Sequence, residues 1–211
     1  RSGARHTATL TPTADENGHY KAGVWVRDSG AGIGTMSFVD PQRGTFAGLG
    51  HSISDADTGA DLTLLSGEIV PVTITGCIRG AAGSPGELRG EFAAAPAGTV
   101  LANDAAGVYG SYTGSCTAPA LPVANLQEVT PGEAELWTTV LGTTAQPYTI
   151  QVERVTMTGS DPNRNLLIRV TDKRLLDATG GVVQGMSGSP IVQNGRLAAV
   201  LTHVLVNDPS R

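Results

Sequence analysis

Turns rich in glycine and proline divide this chain into short segments, and this division constrains the fold more than any other feature. The chain contains 28 Gly and 12 Pro, and Val, Thr and Ile dominate the segments between them. Few stretches carry the long apolar repeat of a helix, whereas short β-branched segments joined by turns are typical of all-β proteins. With 211 residues, the chain is long enough for a pair of β-barrels or a sandwich with its own core. We therefore predict an all-β fold with little helix.

The charge and the hydropathy of the chain exclude two classes of protein. A net charge of −5 and an isoelectric point near 5.3 argue against a nucleic-acid-binding protein, and no cluster of Lys and Arg offsets them. No run of about 18 apolar residues is present, so we expect no membrane span in this chain. The first residues, Arg1–His6, do not resemble a signal peptide. We expect the sequence to be a fragment or a mature form whose targeting segment is missing.

The distribution of turns suggests one enzyme domain in two lobes behind a short arm. Residues 1–16 form a polar N-terminal arm, and a peptidase-sized domain occupies residues 17–211. A Pro- and Ala-rich stretch around 118–125 divides this domain into a first lobe of about 17–120 and a second lobe of about 121–211. Residues 93–122 have the weakest pattern. The strands expected from alternation are 35–39, 45–47, two within 62–75, 87–92, 134–141, 148–156, 166–171, 191–192 and 197–206, with one helical turn at 173–177.

The turn Gly185-Met186-Ser187-Gly188-Ser189-Pro190 is typical of serine endopeptidases. Glycine on both sides of Ser187 permits a sharp turn that presents the serine hydroxyl as a nucleophile. The N–H groups of Gly185 and Ser187 are the candidate oxyanion hole, because backbone donors there would stabilise the charge that develops in the transition state. The alternative is a Gly/Ser turn between two strands.

A serine nucleophile requires a base, and the chain has four histidines. His6 lies in the arm, and His19 has no special context. His51 follows a predicted strand of the first lobe, where its imidazole could face a serine from the second lobe and accept the serine proton. The alternative for His51 is a turn histidine capped by Asp55.

Other motifs do not predict a cofactor or a metal site. The run Gly30–Gly34 lacks the spacing and the following helix of a dinucleotide-binding loop. The acidic run Asp55–Asp61 resembles a calcium loop, but its glycine is one position early and the bidentate Glu is missing. Cys77 and Cys116 could form one disulfide or remain free core residues, and the histidines and cysteines lack zinc-ligand spacing. We expect neither a cofactor nor a metal.

Several longer runs resemble the sporulation stage IV protein B (SpoIVB) peptidase family, which comprises serine endopeptidases of endospore-forming bacteria. The resemblance covers about residues 20–211 and is most specific over 179–209. The matching runs are Gly23–Ser29, Ala31–Thr35, Leu49–Ile53 with Asp55, Asp57 and Thr58, Pro85–Leu88 with Gly90 and Phe92, Thr171–Lys173 with Leu175 and Leu176, Thr179–Pro190, Thr202–Val204 and Val206–Pro209.

This resemblance implies a two-lobed, chymotrypsin-like double β-barrel with His51 and Ser187 as the catalytic pair. It also points to Asp172 as the carboxylate that orients the histidine. A chymotrypsin-like arrangement would instead take that carboxylate from the first lobe, where Asp104 or Asp55 could serve.

The chain differs from the commonest serine-protease motif at two positions. Met186 replaces the acidic residue that pairs with a freed N-terminus in trypsin-like enzymes, so the oxyanion hole must be assembled in another way. Ser189 replaces a glycine, as in glutamyl endopeptidases. His203 falls near the place where those enzymes carry a pocket histidine, and we therefore predict that His203 lines the first specificity pocket.

The resemblance further implies a secreted protease of sporulation signalling. It would cleave itself and then a regulator of a membrane-embedded protease, after export into the space between mother cell and forespore. Two alternatives remain: a non-catalytic β-domain that binds peptides by strand addition, and a general secreted endopeptidase of glutamyl type. An α/β-hydrolase esterase fits less well, because the closing glycine of the nucleophile elbow is absent.

Overall fold

Short antiparallel strands make up most of this protein. A computed structural model describes residues 7–22, 30–55, 57–156 and 162–211; the run Gly23–Ser29 and residues 1–6 of the expected arm lie outside these ranges. The strands are β1 (Thr13–Ala14), β2 (Tyr20–Lys21), β3 (Met36–Asp40), β4 (Thr45–Gly48), β5 (Glu68–Ile69), β6 (Val72–Ile78), β7 (Glu87–Phe92), β8 (Gly98–Asp104), β9 (Gly107–Tyr112), β10 (Gly132–Thr138), β11 (Gln146–Val155), β12 (Leu166–Val170), β13 (Pro190–Gln193) and β14 (Arg196–Val200).

Helix is scarce in the described chain. One α-helix, α1, spans Lys173–Thr179, and two 3₁₀ turns span Leu126–Glu128 and Pro162–Arg164. No helix among the described residues has the length and apolar character needed to cross a membrane.

Two five-stranded antiparallel sheets organise the strands. The first sheet has the order β3-β4-β9-β8-β5, and the second has the order β12-β11-β10-β13-β14. β10 illustrates why the second sheet has one buried face: Ala134, Leu136 and Thr138 are buried, whereas the alternating residues Glu133 and Glu135 are exposed. The sheets are curled, and the prediction of an all-β, chymotrypsin-like fold with little helix is confirmed.

The two sheets enclose cores of very different size. The core of the first sheet consists of Phe46, Val100 and Val108 with partly buried neighbours. The core of the second sheet is several times larger and centres on fully buried side chains such as Leu136, Ile150 and Val152. Because apolar burial is the main favourable contribution to folding, the second sheet is the more stable platform for a site.

The β6–β7 ribbon connects the early part of the chain to the core of the second sheet. Ile74 on β6 and Leu88 on β7 are both buried in that core. Ile74 also exchanges two backbone hydrogen bonds with Gly142, and the N–H of Leu88 donates to the carbonyl of Gln184 at 2.8 Å. The ribbon therefore contacts the chain directly before the Ser187 turn.

Helix α1 has a defined cap at each end. The carboxylate of Asp172 accepts a hydrogen bond from the N–H of Arg174, and Gly180 ends the helix with a φ of 77°. A Cβ atom at Gly180 would lie 2.3 Å from the carbonyl oxygen of Gly80, so a glycine is required there. The guanidinium of Arg79 donates to the carbonyls of Leu176 and Asp177 at the C-terminal end of the helix.

The structure differs from the predicted strands in three places. The weakly patterned stretch 93–122 contains the hairpin β8–β9, which joins β4 to β5 in the first sheet. Residues 62–67 are not a strand, and β14 ends at Val200 instead of continuing to Val206. Cys77 is half-buried, Cys116 is exposed, and no disulfide joins them.

Candidate active site

The turn that carries Ser187 requires glycine on both sides of the serine. Gly185 has a φ of 98° and Gly188 a φ of 90°, values that side chains with a Cβ rarely adopt. A Cβ atom at Gly188 would also lie 2.2 Å from the carbonyl oxygen of Thr35 and 2.5 Å from the N atom of Leu49. The turn therefore lies directly against the chain that precedes β3 and the chain that follows β4.

Hydrogen bonds anchor four consecutive carbonyl groups of this turn. The carbonyls of Gln184 and Met186 accept from the N–H groups of Leu88 at 2.8 Å and of Ser189 at 3.0 Å. The carbonyl of Ser187 accepts from the N–H of Thr35 at 2.8 Å, and that of Gly185 accepts from the Thr35 hydroxyl at 3.3 Å. In a planar trans peptide, the C=O of one residue and the N–H of the next point in opposite directions. The anchored carbonyls of Gln184 and Met186 therefore also fix the directions of the Gly185 and Ser187 amides.

The amides of Gly185 and Ser187 have no hydrogen-bond acceptor among the residues that the structure describes. The other N–H groups from Gln184 to Ser189 each donate to a backbone carbonyl: Gln184 to Gly86, Met186 to Val183, Gly188 to Leu201, and Ser189 to Met186. The two free donors are those expected from the sequence to bind an oxyanion. They flank the side chain of Ser187 and are held before any ligand arrives.

Met186 anchors the same turn in the core of the second sheet. Its side chain has an exposed fraction of 0% and packs in the large hydrophobic cluster. In the place of an acidic residue that would need a charged partner, this chain has an apolar side chain that is stabilised by burial.

His51 follows a tight bend at the end of β4. Leu49 and Gly50 have φ values of 67° and 69°, and the position of a Cβ atom at Gly50 would be 2.8 Å from the Thr202 methyl group. The bend therefore brings the His51 segment beside the chain that follows β14. The Nδ1 atom of His51 lies 2.8 Å from the carbonyl oxygen of Ser52. Since a carbonyl can only accept, Nδ1 carries the proton and Nε2 of a neutral imidazole is free to accept one.

The hydroxyl of Ser187 donates to the carbonyl of Thr202 at 3.3 Å. Among the described residues it makes no hydrogen bond to His51. Ser187 is half-buried and therefore accessible from a cavity. A hydrogen bond between nucleophile and base often forms only when substrate is bound, so the arrangement is compatible with general-base chemistry.

A cavity of about 200 Å³ opens beside Ser187. Its described walls combine apolar side chains with the polar side chains of Gln184, Ser187, Thr202 and His203, and none of these described lining residues is acidic. The ring of His203 lies 5.6 Å from the ring of His51, centroid to centroid. Ser187 and His203 thus line the cavity, and His51, from a distant part of the sequence, lies beside His203.

Asp172 lies at the start of α1 and makes structural contacts. Its carboxylate accepts from the N–H groups of Thr149 and Arg174 and pairs with the Arg174 guanidinium at 2.7 Å. The Arg174 hydrogen bond, together with the two backbone donors, lowers the pKa of Asp172 to about 2. Within the described part of the chain, no contact links Asp172 to His51. Its assignment as the third catalytic residue stays a prediction that these contacts do not support.

The two alternative carboxylates also make local hydrogen bonds. Asp104 accepts from the N–H of Ala106, and Asp55 accepts from the N–H groups of Asp57 and Thr58. The carboxylate that the sequence did not suggest is Asp61, which accepts from the hydroxyl of Ser52 at 2.5 Å. Asp61 is therefore linked to His51 through Ser52, whose carbonyl orients the imidazole.

Sequence reasoning also missed Thr35 and Thr202. Both lie in matching runs of the resemblance, but nothing in those runs indicated which of their polar groups contact the serine turn. Thr35 contacts the turn through its N–H and its hydroxyl, and Thr202 provides the carbonyl that accepts from Ser187. Hydrogen bonds between residues this distant in sequence have no local signal.

Comparison with known families agrees with this geometry. The model of the family described as SpoIVB peptidase S55 matches residues 18–211, which is nearly the whole chain. Searches of curated proteins and of solved structures found no significant match. The family model covers the serine turn, His51 and both sheets, and it supports a protease. The chain therefore belongs to the SpoIVB peptidase S55 family.

Proposed function

We propose that this protein is a serine endopeptidase that hydrolyses peptide bonds through an acyl-enzyme on Ser187. His51 accepts the proton of Ser187 through Nε2 and then donates it to the leaving amine. The amides of Gly185 and Ser187 stabilise the oxyanion of the tetrahedral intermediate. The observation that carries the proposal is a pair of amides, on the turn that presents the serine, for which no described residue supplies an acceptor. A peptide-binding β-domain would have no need for donors held at that point.

Labelling with a fluorescent peptidyl phosphonate tests this mechanism. We expect covalent labelling of the parent protein, none of Ser187→Ala, and labelling of His51→Ala that is slower by about 10³-fold or more. His19→Ala is the matched control, because His19 is exposed and distant in sequence from the turn, and it should react like the parent. A folded parent that does not react would contradict the proposal and favour the non-catalytic peptide-binding domain.

The cavity beside Ser187 is proposed as the first specificity pocket. The described part of its lining has no carboxylate to pair with Lys or Arg, whereas the His203 imidazole can donate to an uncharged or acidic side chain. This feature keeps the glutamyl-type endopeptidase as a second candidate. A peptide library with varied P1 residues distinguishes the proposed endopeptidase from the glutamyl type. A strong preference for Glu that His203→Ala abolishes would favour the glutamyl type. Unchanged P1 preference and turnover in a folded His203→Ala protein would remove His203 from the pocket.

Membership of the family suggests a role in sporulation signalling. We infer that the protein is exported, cleaves itself, and then cleaves a regulator of a membrane-embedded protease, with no nucleic acid as partner. Incubating the active protein with the Ser187→Ala variant tests self-cleavage, because the variant is a substrate that cannot cut itself. Specific cleavage at one site, located by N-terminal sequencing, is expected. An intact variant after prolonged incubation with demonstrably active protein would argue against self-cleavage between molecules.

A further inference from the structure

Thr35 lies between the serine turn and the segment that leads to His51. Its N–H donates to the carbonyl of Ser187 at 2.8 Å, and its carbonyl accepts from the N–H of Leu49 at 3.1 Å. Its hydroxyl contacts both the Gly185 carbonyl and the Ser189 hydroxyl at 3.3 Å. One residue therefore bonds to the turn of the nucleophile and to the chain two positions before the base.

The directions of the hydroxyl bonds follow from proton counting. The carbonyl of Gly185 can only accept, so the single hydroxyl proton of Thr35 is donated to it. The Ser189 hydroxyl must then donate to the oxygen of Thr35. Ser189 has an exposed fraction of 0%, and Thr35 is the partner that the structure gives to its hydroxyl. The result is a directed chain from Ser189 through Thr35 to Gly185, in which each bond polarises the next.

This series of hydrogen bonds explains why a serine stands at position 189. A buried hydroxyl without a partner costs free energy, so Ser189 is useful only where Thr35 can accept from it. The same series of hydrogen bonds fixes the carbonyl of Gly185, and the bond from the Thr35 N–H fixes the carbonyl of Ser187. The amides of Gly185 and Ser187 belong to the adjoining Gln184–Gly185 and Met186–Ser187 peptides, and no described residue supplies an acceptor for them.

We propose that Thr35 is a positioning residue, whose hydroxyl, supported by Ser189, holds the Gly185–Ser187 turn in the geometry that binds an oxyanion. The proposal rests on the proposed function, since an oxyanion is formed only if Ser187 attacks a carbonyl. Thr35 does not touch substrate. It acts through the Gly185–Met186 and Ser187–Gly188 peptides, which adjoin the peptides that carry the two donors, and its loss should weaken transition-state binding more than substrate binding.

Four variants test this role. Thr35→Val removes the hydroxyl but retains both backbone bonds, and Thr35→Ser restores the hydroxyl. Ser189→Ala removes only the supporting donor. Thr138→Val is the matched control, because Thr138 is a buried threonine on β10 whose hydroxyl has no partner among the described residues.

The expected kinetic result is a loss of kcat with little change in KM. We expect kcat to fall about 10- to 100-fold in Thr35→Val, less in Ser189→Ala, and less than about threefold in Thr35→Ser. Affinity for a peptidyl boronate, which forms a tetrahedral adduct, should fall in parallel with kcat. Thr138→Val should match the parent. Unchanged kcat in Thr35→Val, or equal losses in Thr35→Val and Thr35→Ser, would overturn the proposal.

Hydrogen exchange of the peptide that spans residues 184–189 gives a readout that does not depend on activity. Thr35→Val should accelerate exchange in this peptide, while Thr138→Val should not. If the parent neither hydrolyses peptides nor reacts with phosphonate, the proposed function fails, and the exchange result still decides whether Thr35 holds the turn. Exchange that is equal in the parent and in Thr35→Val would overturn the role of Thr35 even in an active enzyme.

Discussion

At the scale of single residues, the site depends on where each polar group finds its partner. The glycines that flank Ser187 were predictable, because a sharp turn around a nucleophile requires positive φ values. The hydroxyl pair of Thr35 and Ser189 was not, because the two residues are separated by 154 positions and meet only in the fold. The contacts of Asp172 were only partly predictable for the same reason. Its partner Arg174 is near in sequence, but Thr149, whose N–H also donates to the Asp172 carboxylate, lies on β11.

Asp172→Asn separates a structural role from a catalytic one. Asn can still cap α1, but it loses the ion pair with Arg174. We expect a loss of about 1 kcal/mol in the free energy of unfolding at pH 7, since the pKa of Asp172 is held at about 2 against an ordinary value of 3.8. A depressed pKa stabilises the folded state above the unfolded value, so this difference should shrink as the pH falls below about 4.

Urea denaturation of both proteins between pH 3 and 7 measures this effect. Peptide hydrolysis by Asp172→Asn should remain within about tenfold of the parent, whereas loss of the carboxylate of a catalytic triad costs about 10⁴-fold. A loss of that larger size in a folded variant would support the prediction that Asp172 is the third catalytic residue.

At the scale of elements, strands that pack against the larger core were easier to predict from the sequence than strands that pack against the smaller one. The strands β10 and β11 of the second sheet alternate between buried residues and more exposed ones against a large core, and their positions were approximately expected from the sequence. The hairpin β8–β9 was missed. Its core contains few large apolar side chains, and β8 places Gly98 and Val100 as its buried residues, which is too weak a pattern to recognise.

Two glycines isolate the contact that docks α1 on the β6–β7 ribbon. Gly180 and Gly142 have φ values of 77° and 73°, but only at Gly180 would a Cβ atom meet a carbonyl oxygen, that of Gly80 at 2.3 Å. We expect Gly142→Ala to destabilise the protein by about 1 kcal/mol, the cost of the left-handed conformation alone. Gly180→Ala should cost at least about 2 kcal/mol more, because the helix end must move.

Thermal and urea unfolding of the two variants give the comparison directly. Since the backbone cost is shared, the difference between them measures the close approach of Gly180 to Gly80. Equal destabilisation of the two variants would mean that the helix moves away from the ribbon at no cost.

At the scale of the whole molecule, ion pairs of Glu153 and Asp208 hold residues 208–211 against the second sheet. Glu153 on β11 pairs with Arg169 at 2.6 Å and with Arg211 at 3.1 Å. The hydrogen bond from Arg169 is the main cause of the lowered pKa of Glu153, and that from Ser210 is the main cause of the lowered pKa of Asp208. These carboxylates remain charged in the folded state at a pH where the unfolded chain binds protons.

The protein should therefore lose stability in acid. Above the unfolded pKa values of 4.5 for Glu153 and 3.8 for Asp208, the contribution of these groups is complete, and it is lost as the pH falls through and below them. Urea midpoints measured from pH 7 to pH 3 should fall most steeply below about pH 4.5. Arg169→Gln should flatten that dependence, and an identical slope in parent and variant would contradict the role of Arg169.

The hydrogen bond from Ser187 to the Thr202 carbonyl makes the reactivity of the serine depend on what approaches it. A peptide can offer its own backbone N–H to that carbonyl, and in the proposed mechanism this would free the serine proton for transfer to His51. When a small electrophile without such a donor approaches, the Ser187 hydroxyl still donates its hydrogen bond to the Thr202 carbonyl. The resting enzyme should accordingly react much faster with peptidyl reagents than with small sulfonylating agents. It would thus distinguish a polypeptide from other acylating compounds by its backbone, before any side chain enters the cavity.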